Sequence, residues 1–208
     1  MYKTRQEFYQ ALQSCFLNKA DKPKEMREFC LNMEVKYSSR RINNSDENCL
    51  LGCSLFVLGK YERAIYILKM VMEDSKSLDY LSLSLAILCL GKALLETREY
   101  EGALVYFSHL LQYPPEYKII AYEYCGEASL ALRAYKEAEE YFTKLVNAKP
   151  DDEGAKSHLA VATKLKITMP QQSISTPISS SITTFSPNAF SQSSTVVVNK
   201  TTVLRLSN

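Results

Sequence analysis

Cys49 and Cys53 stand four residues apart, so on a helix they share a face. Joined by Cys89 or Cys125, they could offer thiolates to a metal ion. Structural zinc sites use tighter cysteine pairs, and neither histidine, His109 or His158, is placed to complete one. The spacing reads as small side chains on crowded helices, so no metal and no cofactor is expected. Glu137, Glu139 and Glu140 form a carboxylate cluster, which reads as a solvated helix face rather than a general acid pair. No nucleophile, base and orienting group stand in a known arrangement, and no glycine-rich loop offers to cradle a phosphate. The residues that could do chemistry point away from catalysis, and no enzymatic activity is expected.

The elements that carry these residues follow a beat. Gly52, Gly91 and Gly126 are each followed nine residues later by Tyr61, Tyr100 and Tyr135. Three residues beyond each tyrosine comes Ala64, Ala103 or Ala138, and four beyond each alanine comes Leu68, Phe107 or Phe142. The glycines recur at 39 and 35 residues, a period that signals stacked helical units. Units are expected at 45–78, 84–117 and 119–152. In each, the glycine lets a second helix approach the first, the tyrosine opens that second helix, and the alanine sits where the two cross. The large apolar residue is expected to face the following unit. Pro115 and Pro150 punctuate the unit ends. Five extra residues between the first and second units predict a longer helix or loop near 77–83.

The same slots resemble the tetratricopeptide repeat, over about half of the chain. The departures are Asn48, Ile87 and Tyr122 in the tryptophan slot, Val71, Leu110 and Leu145 in the late alanine slot, and Lys76 in the first proline slot. The resemblance implies an all-α fold, a right-handed α-solenoid of helix-turn-helix units with helical caps. It also implies that ligands are held on the concave face, lined by the first helix of each unit. Some members hold the acidic tail of heat-shock chaperones there in a dicarboxylate clamp of lysine, asparagine and arginine. Here those slots hold Cys49, Cys53, Cys89, Ile120 and Tyr124. Thiols and aliphatics cannot hold a carboxylate, because an unpaired buried charge is costly. With Phe56, Leu85, Leu88, Lys92, Glu123 and Glu127, these positions predict an apolar groove suited to a partner peptide or helix. The competing expectation is that the chain's own N-terminal helices fill the groove.

Residues 1–44 read as an N-terminal helical pair and a degenerate further unit. Phe8, Leu12, Cys15 and Phe16 mark one helix, and Met26, Phe29, Cys30, Met33 and Tyr37 mark the other. Residues 153–167 read as an amphipathic cap of the kind an array needs at its end. Residues 168–208 read as a disordered Ser/Thr-rich tail: from Gln171 onward there are ten serines and six threonines. In it, Thr176-Pro177 and Ser186-Pro187 are candidate phosphorylation sites.

A net charge of +2, from 25 basic and 23 acidic side chains, argues against a nucleic-acid surface. No run approaches the roughly 20 apolar residues of a membrane span. With no export signal, the six cysteines are expected to be reduced, and the location cytoplasmic or nuclear. The composite expectation is a non-enzymatic adaptor or scaffold subunit that binds protein partners inside a larger complex, with self-association open. The alternatives are a chaperone that shields an apolar client segment, and a regulatory part of an assembly such as a ubiquitin ligase.

Overall fold

The computed structural model describes residues 2, 4–19, 21, 23–38 and 44–169. Thr176, Ser186 and the Ser/Thr-rich tail from residue 170 lie outside the described residues. Among the described residues every regular element is helical. They are α1 (Arg5–Asn18), α2 (Lys24–Ser38), α3 (Ser45–Val57), α4 (Tyr61–Glu73), α5 (Tyr80–Glu96), α6 (Tyr100–His109), α7 (Pro115–Ala131), α8 (Tyr135–Ala148) and α9 (Glu153–Thr168). Single 3-10 turns follow α4 at Ser75–Ser77 and α6 at Leu110–Gln112. All belong to one compact unit, Met1–Thr176.

Local chemistry sets where the helices begin. Thr4, Asn44, Asp79 and Asp152 each cap a helix by accepting from a backbone N–H, at Glu7, Asp46, Ser82 and Ala155 respectively. Pro115 opens α7 at a position where its missing N–H costs nothing. The proline therefore starts a helix as well as closing the unit before it. The extra residues between the first two units are taken up by the Ser75–Ser77 turn and by α5, which begins at Tyr80 rather than at Ser84.

Each second helix begins on the repeat tyrosine, Tyr61, Tyr100 or Tyr135. The turn before it is the same in all three hairpins. Lys60, Glu99 and Ala134 donate back to the carbonyls of Leu55, Leu94 and Ser129 at 2.9, 2.8 and 2.9 Å. This is the wrapped helix end that needs one residue in the left-handed region. Gly59 fills that position first, at φ 76°, while Arg98 and Arg133 fill it later at 65° and 60°.

The repeat glycines set how closely the paired helices approach. A Cβ on Gly52 would lie 2.6 Å from Leu68, one on Gly91 2.7 Å from Phe107, and one on Gly126 2.6 Å from Phe142. Those three side chains and Ala64, Ala103 and Ala138 are fully buried. Phe107 also meets Tyr124 of the next hairpin, with ring centroids 4.9 Å apart, and Phe142 meets His158 of α9 at 5.2 Å. The large apolar residue thus fills its own unit's glycine notch and faces the following helix. Val71, Leu110 and Leu145 are buried as well, so the enlarged late slots pack inside the array.

Candidate functional site

The first helices of the hairpins, α3, α5 and α7, share a face that meets α1, and the groove between them is occupied by α1. Phe8, Tyr9 and Leu12, on one side of α1, are fully buried. Phe16, one turn on, stacks on Phe56 of α3 at 5.8 Å. In the middle, Gln13 Nε2 donates to the Tyr117 hydroxyl of α7 at 2.6 Å, and Ser84 of α5 donates to the same oxygen at 3.1 Å. Arg5 pairs with Asp46 at 2.9 Å and lies 3.8 Å from Asp79, while Lys19 pairs with Glu123 at 2.7 Å. So α1 is seated by an apolar stripe between a basic residue at each end.

This arrangement corrects the expectation of an open apolar groove. Cys49, Cys53, Leu85, Leu88 and Cys89 have no exposed surface, and Phe56 and Ile120 are only 5% exposed. The residues read as groove lining sit at the base of the groove, covered from above. The physical reason lies in the sequence. An uncovered row of thiols and aliphatics is a large unsatisfied apolar area, and a chain carrying a matching amphipathic helix covers it.

The thiols are brought together but are inert. Cys49 donates to the Ser82 carbonyl at 3.4 Å. The neighbouring Cys53 thiol and burial raise the pKa of Cys49 well above its ordinary value. Cys53 is likewise held well above its usual range: the Cys49 thiol pulls it down, but Cys89, burial and the nearby Cys30 outweigh that pull. Protonated, buried thiols are poor nucleophiles and poor metal ligands. Among the described residues no group of three or more histidine, cysteine or acidic side chains is arranged to hold a metal ion.

Lys92, Glu123, Tyr124 and Glu127 form the partly open end of the same face, beyond the end of α1. The Lys92 ammonium lies 4.4 Å over the Tyr124 ring. Burial, then the carboxylates of Glu123, Glu127 and Glu96, push the Tyr124 phenol up. Burial also pushes the Glu127 carboxyl up, against the opposing pull of Lys92. The wall is acidic, and Lys19 shows how it engages a cation.

Sequence reasoning found the apolar stripe of α1 and the first-helix positions. It missed the polar pairs that seat one on the other. Arg5, Gln13 and Lys19 meet Asp46, Asp79, Tyr117 and Glu123, partners up to 104 residues away. The signal for them was the basic residue at each end of the stripe. A second surface also escaped notice. Leu31 and Val35 of α2 and Tyr66 and Met70 of α4 are exposed, at 43–74%. Glu34 ties these two helices, accepting from Lys60 and from Arg63 at 2.6 Å.

No protein-family model matches the chain, and no curated protein matches it. Among solved structures, a MamA RS-1 ArsTM double mutant is similar at 22% identity and a TM-score of 0.54, covering 81% of this chain and 88% of that one. MamA 41-end from Desulfovibrio magneticus RS-1 is similar at 18% identity and a TM-score of 0.48, covering 82% of this chain and 99% of that one. At these identities the likeness is one of fold: the chain is an all-α solenoid of stacked helix hairpins.

Proposed function

We propose that this chain is a non-enzymatic adaptor that binds another protein through the inner face of α3, α5 and α7. The observation that carries this reading is the docking of an amphipathic helix, α1, against that face, with Tyr9 and Leu12 fully buried. A surface that seats one helix by an apolar stripe and charged ends has the properties of a helix-in-groove site. The residues that bring function are the thiols and aliphatics at the base, Cys49, Cys53, Phe56, Leu85, Leu88, Cys89 and Ile120, and the rim of Lys92, Glu123, Tyr124 and Glu127. Gly52, Gly91, Gly126 and the tyrosine and alanine slots build the array.

Affinity capture of the full chain, with quantitative mass spectrometry of what accompanies it, tests the reading. A partner in fixed stoichiometry is expected. Glu127→Lys, on the rim, should release it, whereas Glu140→Lys, on the exposed side of α8, should retain it. Thermal melts confirm that both variants remain folded. Equal retention in the two variants refutes the inner face as the partner site. A broad set of substoichiometric, apolar clients would favour a chaperone instead.

A further inference from the structure

We infer that α1 stands in for a helix of the partner: the groove takes an amphipathic helix with a basic side chain at each end, which exchanges with α1. This rests on the reading that the inner face is the partner site, and it adds both the partner's chemistry and the control of access.

Charge fixes the first requirement. Asp46 and Asp79 form one end of the groove and Glu123 the other, so both ends are acidic. Arg5 and Lys19, 14 residues apart, answer them. A helix with acidic ends would face like charges at both. The apolar pattern fixes the second requirement. Tyr9, Leu12 and Phe16 follow the spacing of one helix face, with Tyr9 beside Cys49 and Cys53 and Phe16 on Phe56, while Phe8 stacks on Phe29 of α2 at 4.9 Å.

Three features make α1 an exchangeable occupant rather than a permanent part of the core. Its end pairs reach solvent, with Arg5, Asp46 and Asp79 side chains exposed at 36%, 33% and 51%, and Lys19 at 60% against Glu123 at 14%. Exposed ion pairs hold weakly and are screened by salt. The Tyr9 hydroxyl is buried beside Cys49 and Cys53, where the Cys49 thiol is only a weak hydrogen-bond partner. A buried hydroxyl that exchanges water for a thiol works against docking, and a partner with phenylalanine at that position avoids the penalty. Finally, α1 ends itself: Thr4 caps one end and Lys19, at φ 51°, turns the chain away at the other. On this reading detachment uncovers Cys49 and Cys53, the thiols beside Tyr9, with Cys89 next to them.

The test uses a fluorescent peptide of residues 4–19, titrated into the full chain and into the Arg5→Glu/Lys19→Glu variant. Labelling of Cys49, Cys53 and Cys89 by a thiol reagent, resolved by mass spectrometry, reports whether the groove is open. The double variant is expected to label faster and to bind the peptide about tenfold more tightly at low salt, the combined worth of two exposed pairs made repulsive. A Tyr9→Phe peptide should bind about fivefold more tightly still. A peptide with glutamate at both ends should bind at least tenfold more weakly. If the double variant unfolds, Arg5→Ala/Lys19→Ala replaces it, with the same order of affinities.

Peptide binding without any rise in thiol labelling places the peptide elsewhere; it overturns exchange and leaves the adaptor reading standing. Thiols that stay closed in both variants make α1 a permanent core element and overturn exchange. Open thiols with no peptide binding overturn both readings. A dimer of the double variant that forms with concentration and closes the thiols again gives the groove to a second copy, and overturns the partner proposal.

Discussion

Replacing Gly91 with alanine should destabilise the array, although alanine is the better helix former. In a helix interior the change from glycine to alanine is worth about 1 kcal/mol in favour of alanine. At Gly91 the added Cβ would lie 2.7 Å from two ring carbons of Phe107 and 3.0 Å from a third. The ring cannot retreat, because Phe107 is fully buried with Tyr124 behind it at 4.9 Å. Forcing a methyl into a packed core costs about 1–3 kcal/mol, and the trapped ring argues for the upper part of that range. The net expectation is a loss of about 1–2 kcal/mol, or about 3–6 °C in Tm for a domain of this size. Gly102 supplies the control. It lies in α6 one residue before Ala103, and its Cβ would meet only Leu94, at 3.5 Å. Gly102→Ala should therefore gain about 0.5–1 kcal/mol. Reversible thermal or urea unfolding of the two variants and the parent chain reads the difference directly. A Gly91→Ala variant that gains stability as Gly102→Ala does would refute the claim that the repeat glycines mark close helix approach.

Two further expectations concern the turns and the α2–α4 junction. Arg133→Gly should stabilise the chain by about 0.5–1 kcal/mol, since Arg133 sits at φ 60° where Gly59 sits in the first hairpin; an unchanged or lower urea midpoint argues against strain there. Glu34 is 8% exposed, and hydrogen bonds from Lys60 and then Arg63 hold its carboxyl below the ordinary value. A depressed folded pKa means that the stability from this group is present above the unfolded value near 4.5 and is lost as pH falls through the folded one. The Glu34→Gln variant should lose about 2 kcal/mol at neutral pH and little in acid, and equal losses at pH 7 and pH 3 would exclude the pairing as the cause.

The helix hairpins were legible because their rules are local. A glycine, a tyrosine nine residues on and an alanine three beyond it fix where helices start and how closely they pack, and each sits within one unit. The turn residues were half legible: Gly59 announces a left-handed position, but Arg98 and Arg133 hold the same conformation without a sequence signal. The first-helix positions around Cys49, Cys89 and Ile120 were assigned to one shared face, yet their exposure was not readable. Whether such a face is open or covered depends on where α1 docks, and that is settled by partners such as Gln13 with Tyr117 and Lys19 with Glu123, 104 residues apart. Repeat patterning says nothing about contacts at that separation. The amphipathic stripe of α1 was visible, but a stripe names no partner.

The most direct test of the account is the rate at which Cys49, Cys53 and Cys89 react in the intact chain, compared with Leu12→Asp. Leu12, on the inward side of α1, is fully buried, and an aspartate there would carry an unpaired charge into the apolar seat. The account requires slow labelling in the parent chain and labelling at least tenfold faster in the variant, with the helix content of the remaining array retained by circular dichroism. Thiols that react rapidly in the parent chain, or equally slowly in both, would contradict the claim that α1 is what closes the inner face.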